Sequence, residues 1–204
     1  MITQFQKNPN KIYKNRNDLI TNQPEDNGII PVDTLRDIYI ELEHAPSISF
    51  DEMWWLMRTL NNHKPIHRIF ETWSGLGGNL RVWENIVSTK VENGGIIVTR
   101  PETINWNWQQ SEKKIRATSL NYPSIKNIKT VLSSEFKQQQ IDLIIQNGEE
   151  GCDLHKFDPI LKNSGVICVF NLNKVEPWWD KLDNSKGNIS KYKESSGIGV
   201  FIKV

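Results

Sequence analysis

Residues 69–87 constrain this chain more than any other stretch. An apolar run (Ile66, Ile69, Phe70) ends on an acid, Glu71. A glycine-rich turn follows, with Gly75, Gly77 and Gly78. Beyond it Leu80, Trp83 and Val87 recur at helical spacing, beside Val82 and Ile86. That order predicts a strand, a turn, and a helix running to about residue 89. Glycines let a backbone pass close to a ligand, and a helix start offers N–H groups without intrahelical partners. A tight strand-to-helix turn with no ligand has the same signature, so both readings stand at this point. No Gly-Lys-Ser/Thr closes the turn, which excludes a phosphate-binding P-loop.

The rest of the chain supplies more strands of the same kind. Short apolar runs at 96–99, 128–132, 141–145 and 166–170 predict four of them, and residues 197–202 predict a last one. Helical stretches are expected between them: 111–120, a short glutamine-rich piece after Ser133-Ser134-Glu135, and 152–161, which Pro159 limits. Another is expected at 177–182, where Pro177 suits a first helical turn. Residues 183–187 read as polar and turn-like. Continuously apolar strands separated by helices indicate a mainly parallel sheet covered by helices on both faces. In such sheets ligands bind beyond the carboxyl ends of the strands, at the point where the strand order reverses. The loops expected there are 71–78, 99–102, 133–135, 146–151 and 171–173.

Ahead of this lies a polar, Asn- and Lys-rich segment, residues 1–47, read as an N-terminal arm with a short helix near 32–43. Residues 48–204 form the α/β domain. Ser49 and Glu52 have capping-box spacing. After them Phe50, Met53, Trp54, Met57 and Leu60 mark one face of an amphipathic helix. His63 and His67 lie in or beside the turn that ends it.

Charge and hydropathy remove several function classes. Lys+Arg is 25 and Asp+Glu is 24, a net charge of +1, with no basic stripe for nucleic acid or anionic membrane. No apolar run approaches the roughly 20 residues of a membrane-spanning helix, and the first residues lack the apolar core of a signal peptide. Cys152 and Cys168 are read as free thiols of a reducing compartment, hence a cytoplasmic protein. The glycine spacing is not Gly-x-Gly-x-x-Gly, which argues against a nicotinamide dinucleotide. Eight tryptophans, six in close pairs, serve packing in the first place. A stacking platform for a ring-bearing ligand is the other use for one pair.

Four segments carry a resemblance to the class I S-adenosylmethionine-dependent methyltransferases. They are Phe70-Glu71-Thr72-Trp73-Ser74-Gly75-Leu76-Gly77-Gly78, the run from Ile141 to Glu150, Asp158-Pro159-Ile160-Leu161-Lys162-Asn163-Ser164-Gly165-Val166-Ile167, and Ser195-Ser196-Gly197-Ile198-Gly199-Val200. Within that family the chain is similar to the cephalosporin-hydroxylase-like and small-molecule or sugar O-methyltransferase branch, over roughly residues 48–204. The resemblance implies a Rossmann-like methyltransferase fold. It implies S-adenosylmethionine as cofactor, held by Glu71, Gly75, Gly77, Gly78, Glu102, Ser133 and Asn147. It also implies a small-molecule or sugar acceptor, with Glu149, Glu150 or His155 as the base that takes the acceptor's proton.

The departures from the family pattern point elsewhere. Trp73 replaces the first glycine of the loop, and Arg100 falls where an acid is expected to hold the ribose, leaving Glu102 to substitute. Asn147 and Phe170-Asn171 stand where that branch has acidic and histidine residues. Hard divalent cations need charged oxygen ligands, so no metal is expected. A methyltransferase fold kept as a binding or scaffold protein, its catalytic centre decayed, is therefore the alternative. No nucleic-acid or membrane partner is expected, and assembly as a homo-oligomer is left open.

Overall fold

In the computed structural model of the chain, residues 15–41, 46, 48–63, 65–72, 78–87, 95–100, 113, 128–132, 141–147, 157, 159–180 and 187–204 are described. Among the described residues seven strands form one sheet: β1 (Arg68–Glu71), β2 (Gly95–Arg100), β3 (Ile128–Leu132), β4 (Ile141–Asn147), β5 (Leu161–Phe170), β6 (Gly187–Tyr192) and β7 (Ile198–Lys203). Their order is β3-β2-β1-β4-β5-β7-β6. The first five run parallel, in registers such as Ile69 with Ile96 and Phe70 with Ile144. Strand β7 is antiparallel to β5 and to β6. The order reverses at β1, which has β2 on one side and β4 on the other, so the switch point lies between the ends of β1 and β4.

Two apolar clusters follow from the period of two along a strand. Ile69, Leu143, Ile145, Val166, Cys168, Ile198 and Val200 face one side. Phe70, Ile144, Ile167, Val169 and Phe201 face the other. The first side is covered by α1 (Val32–Glu41), α2 (Phe50–Leu60) and α3 (Leu80–Ile86), through Leu35, Ile38, Met53, Met57, Leu80 and Trp83. The second is covered by Phe157, Ile160, Leu172 and Trp179, the last on the short α4 (Glu176–Trp179). Leu19 and Ile30, from the chain before α1, join the first cluster. That chain wraps α2: Trp54 donates its indole N–H to the Pro24 carbonyl (2.9 Å), and the Ile29 N–H bonds the Met57 carbonyl (2.9 Å). Gly28 is where the wrap is tightest, since a Cβ there would run into the Trp54 ring.

Several expectations need correction. Helix α3 stops at Ile86, because Val87 turns extended and pairs with Ile66. The helix expected over 152–161 does not reach its end: residues 159–160 form a turn, and β5 already starts at Leu161. Between Leu161 and Val166 the register with β4 shifts, and Ser164 takes a left-handed φ of 61°. Residues 163–165, ahead of the strand expected at 166–170, thus form a bulge inside β5. Strand β6 was not anticipated. Its sequence, Gly-Asn-Ile-Ser-Lys-Tyr, is polar because it lies at the sheet's edge. The expected helix at 111–120 falls outside the described residues apart from Lys113, which is helical. Of the tryptophan pairs, Trp54 is buried and Trp55 stacks on Tyr192 at 5.7 Å, so that pair is packing.

Glu52 joins α2 to the far edge of the sheet. It is fully buried, and one carboxylate oxygen accepts from the Ser49 N–H (2.9 Å) and hydroxyl (2.8 Å), completing the capping box. The other accepts from the Ser196 hydroxyl (2.8 Å) and the Gly197 N–H (2.9 Å), in the β6–β7 turn. Its neighbour Asp51 binds Thr21, Asn22 and Tyr192. Glu52→Ala leaves buried donors without acceptors. We expect it to lower the unfolding free energy by about 3 kcal/mol in urea titrations; a loss under about 1 kcal/mol would mean that those donors find other partners.

Candidate functional site

The carboxyl ends of β1 and β4 place the candidate site. β1 ends on Glu71, and the Thr72 N–H still bonds the Ile145 carbonyl of β4 (3.0 Å), so the pairing continues one residue past the strand. The chain returns at Gly78 and Asn79, both buried, and enters α3. Asn79 donates its side-chain amide to one oxygen of Glu71 (2.8 Å). One helical turn on, the Trp83 indole N–H reaches the other oxygen (3.1 Å). The Trp83 ring also stacks on Phe170, at the end of β5, with centroids 6.3 Å apart. Glu71 is only 1% exposed. Burial among uncharged groups pushes its carboxyl up to about 7, and the Asn79 and Trp83 hydrogen bonds pull the other way.

The rim on the β5 side is fixed by main-chain bonds. Asn171 takes a left-handed conformation (φ 55°), which asparagine tolerates, and turns the chain sharply after β5. The N–H groups of Leu172 and Asn173 then bond the carbonyls of Gly197 (3.0 Å) and Ser196 (3.2 Å). The β6–β7 turn that carries them is the one Glu52 grips. Gly197 has φ +79°, and Gly199 lies under the Trp179 ring, where a Cβ would come within 2.6 Å of the indole. The Gly-Ile-Gly-Val segment therefore has a structural reason for both its glycines.

Of the residues expected to hold the cofactor, the structure brings Glu71 and Gly78 together at the switch point, and Asn147 ends β4 nearby. Gly75, Gly77, Glu102 and Ser133 lie outside the described residues, as do Glu149, Glu150, His155 and Trp73. In sequence, Glu102 is the second residue after β2, and Ser133 directly follows β3. Asp142, in the second resembling segment, sits at the opposite end of the sheet. It accepts the N–H groups of His67 (3.0 Å) and Arg68 (2.8 Å) and pairs with Lys162 (2.6 Å), so it ties β1, β4 and β5 at their amino ends. Sequence reasoning missed Asn79 and the polar use of Trp83. The signal available was an acid followed, eight and twelve residues on, by two side-chain N–H donors, the first just before α3 and the second one turn later.

No protein-family model matches the sequence, and no curated protein matches it. Solved structures do match. A Staphylococcus aureus protein assigned as a caffeoyl-CoA O-methyltransferase superposes with a TM-score of 0.61 at 11% identity, covering 85% of this chain and 92% of that one. The S-adenosylhomocysteine-bound Podospora anserina methyltransferase PaMTH1 gives 0.56 at 16% identity, over 86% and 89%. An rRNA methylase from Streptococcus thermophilus gives 0.52 at 12% identity, over 75% and 96%. The chain has the class I S-adenosylmethionine-dependent methyltransferase fold. Within this methyltransferase fold the Glu71 turn occupies the switch point, and no helix among the described residues is long and apolar enough to cross a membrane.

The Glu71 carboxyl gives the fold a pH signature. Its folded value, about 7, lies above the ordinary 4.5, so the native state holds the proton more tightly than the unfolded chain. The resulting stabilisation, about 3 kcal/mol, is fully present below pH ~4.5 and is lost as pH rises through ~7. Urea titrations from pH 5 to 8.5 should show stability falling across this window. Glu71→Gln should flatten that fall, and an unchanged slope in the variant would assign it to another group.

Proposed function

We propose that this chain transfers a methyl group from S-adenosylmethionine to an oxygen of a small-molecule or sugar acceptor. The observation that carries the reading is the segment between β1 and α3, held at the switch point of a sheet whose fold is that of an S-adenosylhomocysteine-bound enzyme. The order of the chain there fits such a cofactor: β1 ends at Glu71, three glycines follow in the sequence (75, 77 and 78), and α3 then carries Trp83 against Phe170. The Glu71 carboxyl fits less well as a direct partner of the cofactor's ammonium, being buried with both oxygens engaged.

When bound, the cofactor supplies an electrophilic methyl group on a sulfonium. The protein's part is to hold the acceptor oxygen in line with that methyl and to receive its proton. In this proposal Gly75, Gly77 and Gly78 form the cradle, Glu102 takes the ribose hydroxyls, Ser133 lies by the adenine, and Asn147 closes the β4 side. Glu149, Glu150 or His155 takes the acceptor proton. The fold also occurs in an rRNA methylase; here a net charge of +1 supports a small acceptor over a polyanion. Trp73 in place of a loop glycine, and amides at 147 and 171, favour a second reading: a catalytically inactive methyltransferase fold kept as a binding or scaffold protein.

Calorimetric titration with S-adenosylmethionine and S-adenosylhomocysteine, with and without magnesium, tests this. We expect dissociation constants on the order of micromolar and no magnesium dependence. Binding without methyl transfer to any oxygen acceptor in a screen would favour the second reading. No binding at millimolar cofactor would sink the methyltransferase reading and favour a purely structural, scaffold role.

A further inference from the structure

We infer that Glu71 is a positioning residue: with Asn79 and Trp83 it forms a clamp that closes the neck of the glycine-rich turn, instead of serving as the direct ligand of the cofactor's ammonium. This rests on the methyltransferase reading of the site and assigns the acid a different task within it.

The geometry is specific. The chain leaves the sheet at Thr72, and Asn79 stands where it enters α3. On the way out, the Thr72 N–H is fixed to the Ile145 carbonyl (3.0 Å). On the way back, Asn79 is fixed to Glu71, the residue just before the segment (2.8 Å). The two ends of the turn are thus joined by one side-chain bond. The Trp83 N–H (3.1 Å) holds the same carboxyl from the next turn of α3, and the Trp83 ring is held in turn by Phe170 of β5. The clamp therefore couples β1, α3 and β5.

A direct ligand of an ammonium would need an oxygen facing the ligand and a settled negative charge. Glu71 offers neither. It is 1% exposed, each oxygen already accepts an N–H, and burial pushes the carboxyl to about 7. A neck clamp explains all three features. A segment with Gly75, Gly77 and Gly78 loses much conformational entropy when it is ordered. Joining its ends removes part of that cost before a ligand arrives, which raises affinity through preorganisation.

The two roles are separated by a pair of probes. S-Adenosylhomocysteine and 5′-methylthioadenosine share the nucleoside and the thioether, but only the first carries the ammonium. Both are titrated against the full chain, Glu71→Gln, Trp83→Phe and the double variant, each checked for native circular dichroism. Trp83→Phe removes the N–H and keeps a ring against Phe170. If Glu71 positions the turn, each single variant weakens both probes by the same factor, roughly tenfold. The double variant is then no worse than the weaker single one, because the residues act as one unit. The inference is overturned if Glu71→Gln weakens S-adenosylhomocysteine alone, or if Trp83→Phe has no effect. Should the unaltered chain bind neither probe, the methyltransferase reading fails, and the clamp is judged by urea unfolding of the same variants. Non-additive losses support it, and additive losses overturn it.

Discussion

The sheet has to be dry on both faces, and most of the structure follows from that. Parallel strands are stable only when both surfaces are covered. Here the alternation of Ile69, Leu143 and Ile145 on one side with Phe70 and Ile144 on the other sends apolar side chains both ways. Each fully buried Leu, Ile or Phe contributes about 1.5–3 kcal/mol, against about 0.5–1.5 kcal/mol net for a typical neutral hydrogen bond. The first face is covered by α1–α3 together with Leu19 and Ile30. The described chain before α2 therefore contributes to the core through Leu19, Ile30, Leu35, Ile38 and Tyr39.

Covering both faces leaves polar groups stranded at the ends of the strands, and three carboxylates take up that role with different partners. Asp142 caps the amino ends with two backbone N–H groups and Lys162. Glu52 receives four hydrogen bonds and fixes the β6–β7 turn to α2. Among the described residues, Glu71 is held by two neutral donors, Asn79 and Trp83. Burial pushes the Glu71 carboxyl up toward neutrality, because its two neutral partners stabilise the charge less than burial destabilises it. Glu71 also sits at the switch point, the place where open parallel α/β sheets take their ligands.

Much of the fold was readable from the one-dimensional pattern, and the exceptions share a cause. Strands β2, β3 and β4 are apolar runs of β-branched residues bounded by turn formers, a signal that stands without context. Strand β6 is invisible to the same test, because an edge strand pairs on one side only and Gly187–Tyr192 has polar residues facing out. The end of α3 was misjudged because Val87 fits the helical stripe. A tertiary partner, Ile66, overrides that local preference. At the site, Glu71 and Gly78 stand out from composition and turn chemistry. Trp83 reads as one more core residue, since nothing in the sequence says that its N–H meets a carboxylate twelve positions earlier.

By itself the sequence determined the class of the fold, the order of most of its strands along the chain, and the acid-glycine segment around which a site is expected. These depend on periodicity and turn chemistry, which act over a few residues. Only the tertiary structure decided which strands are neighbours, where the order reverses, and that the Glu71 carboxyl is turned inward onto Asn79 and Trp83. Those outcomes depend on long-range burial: which faces must be covered, and which donors end up next to a group that has lost its water.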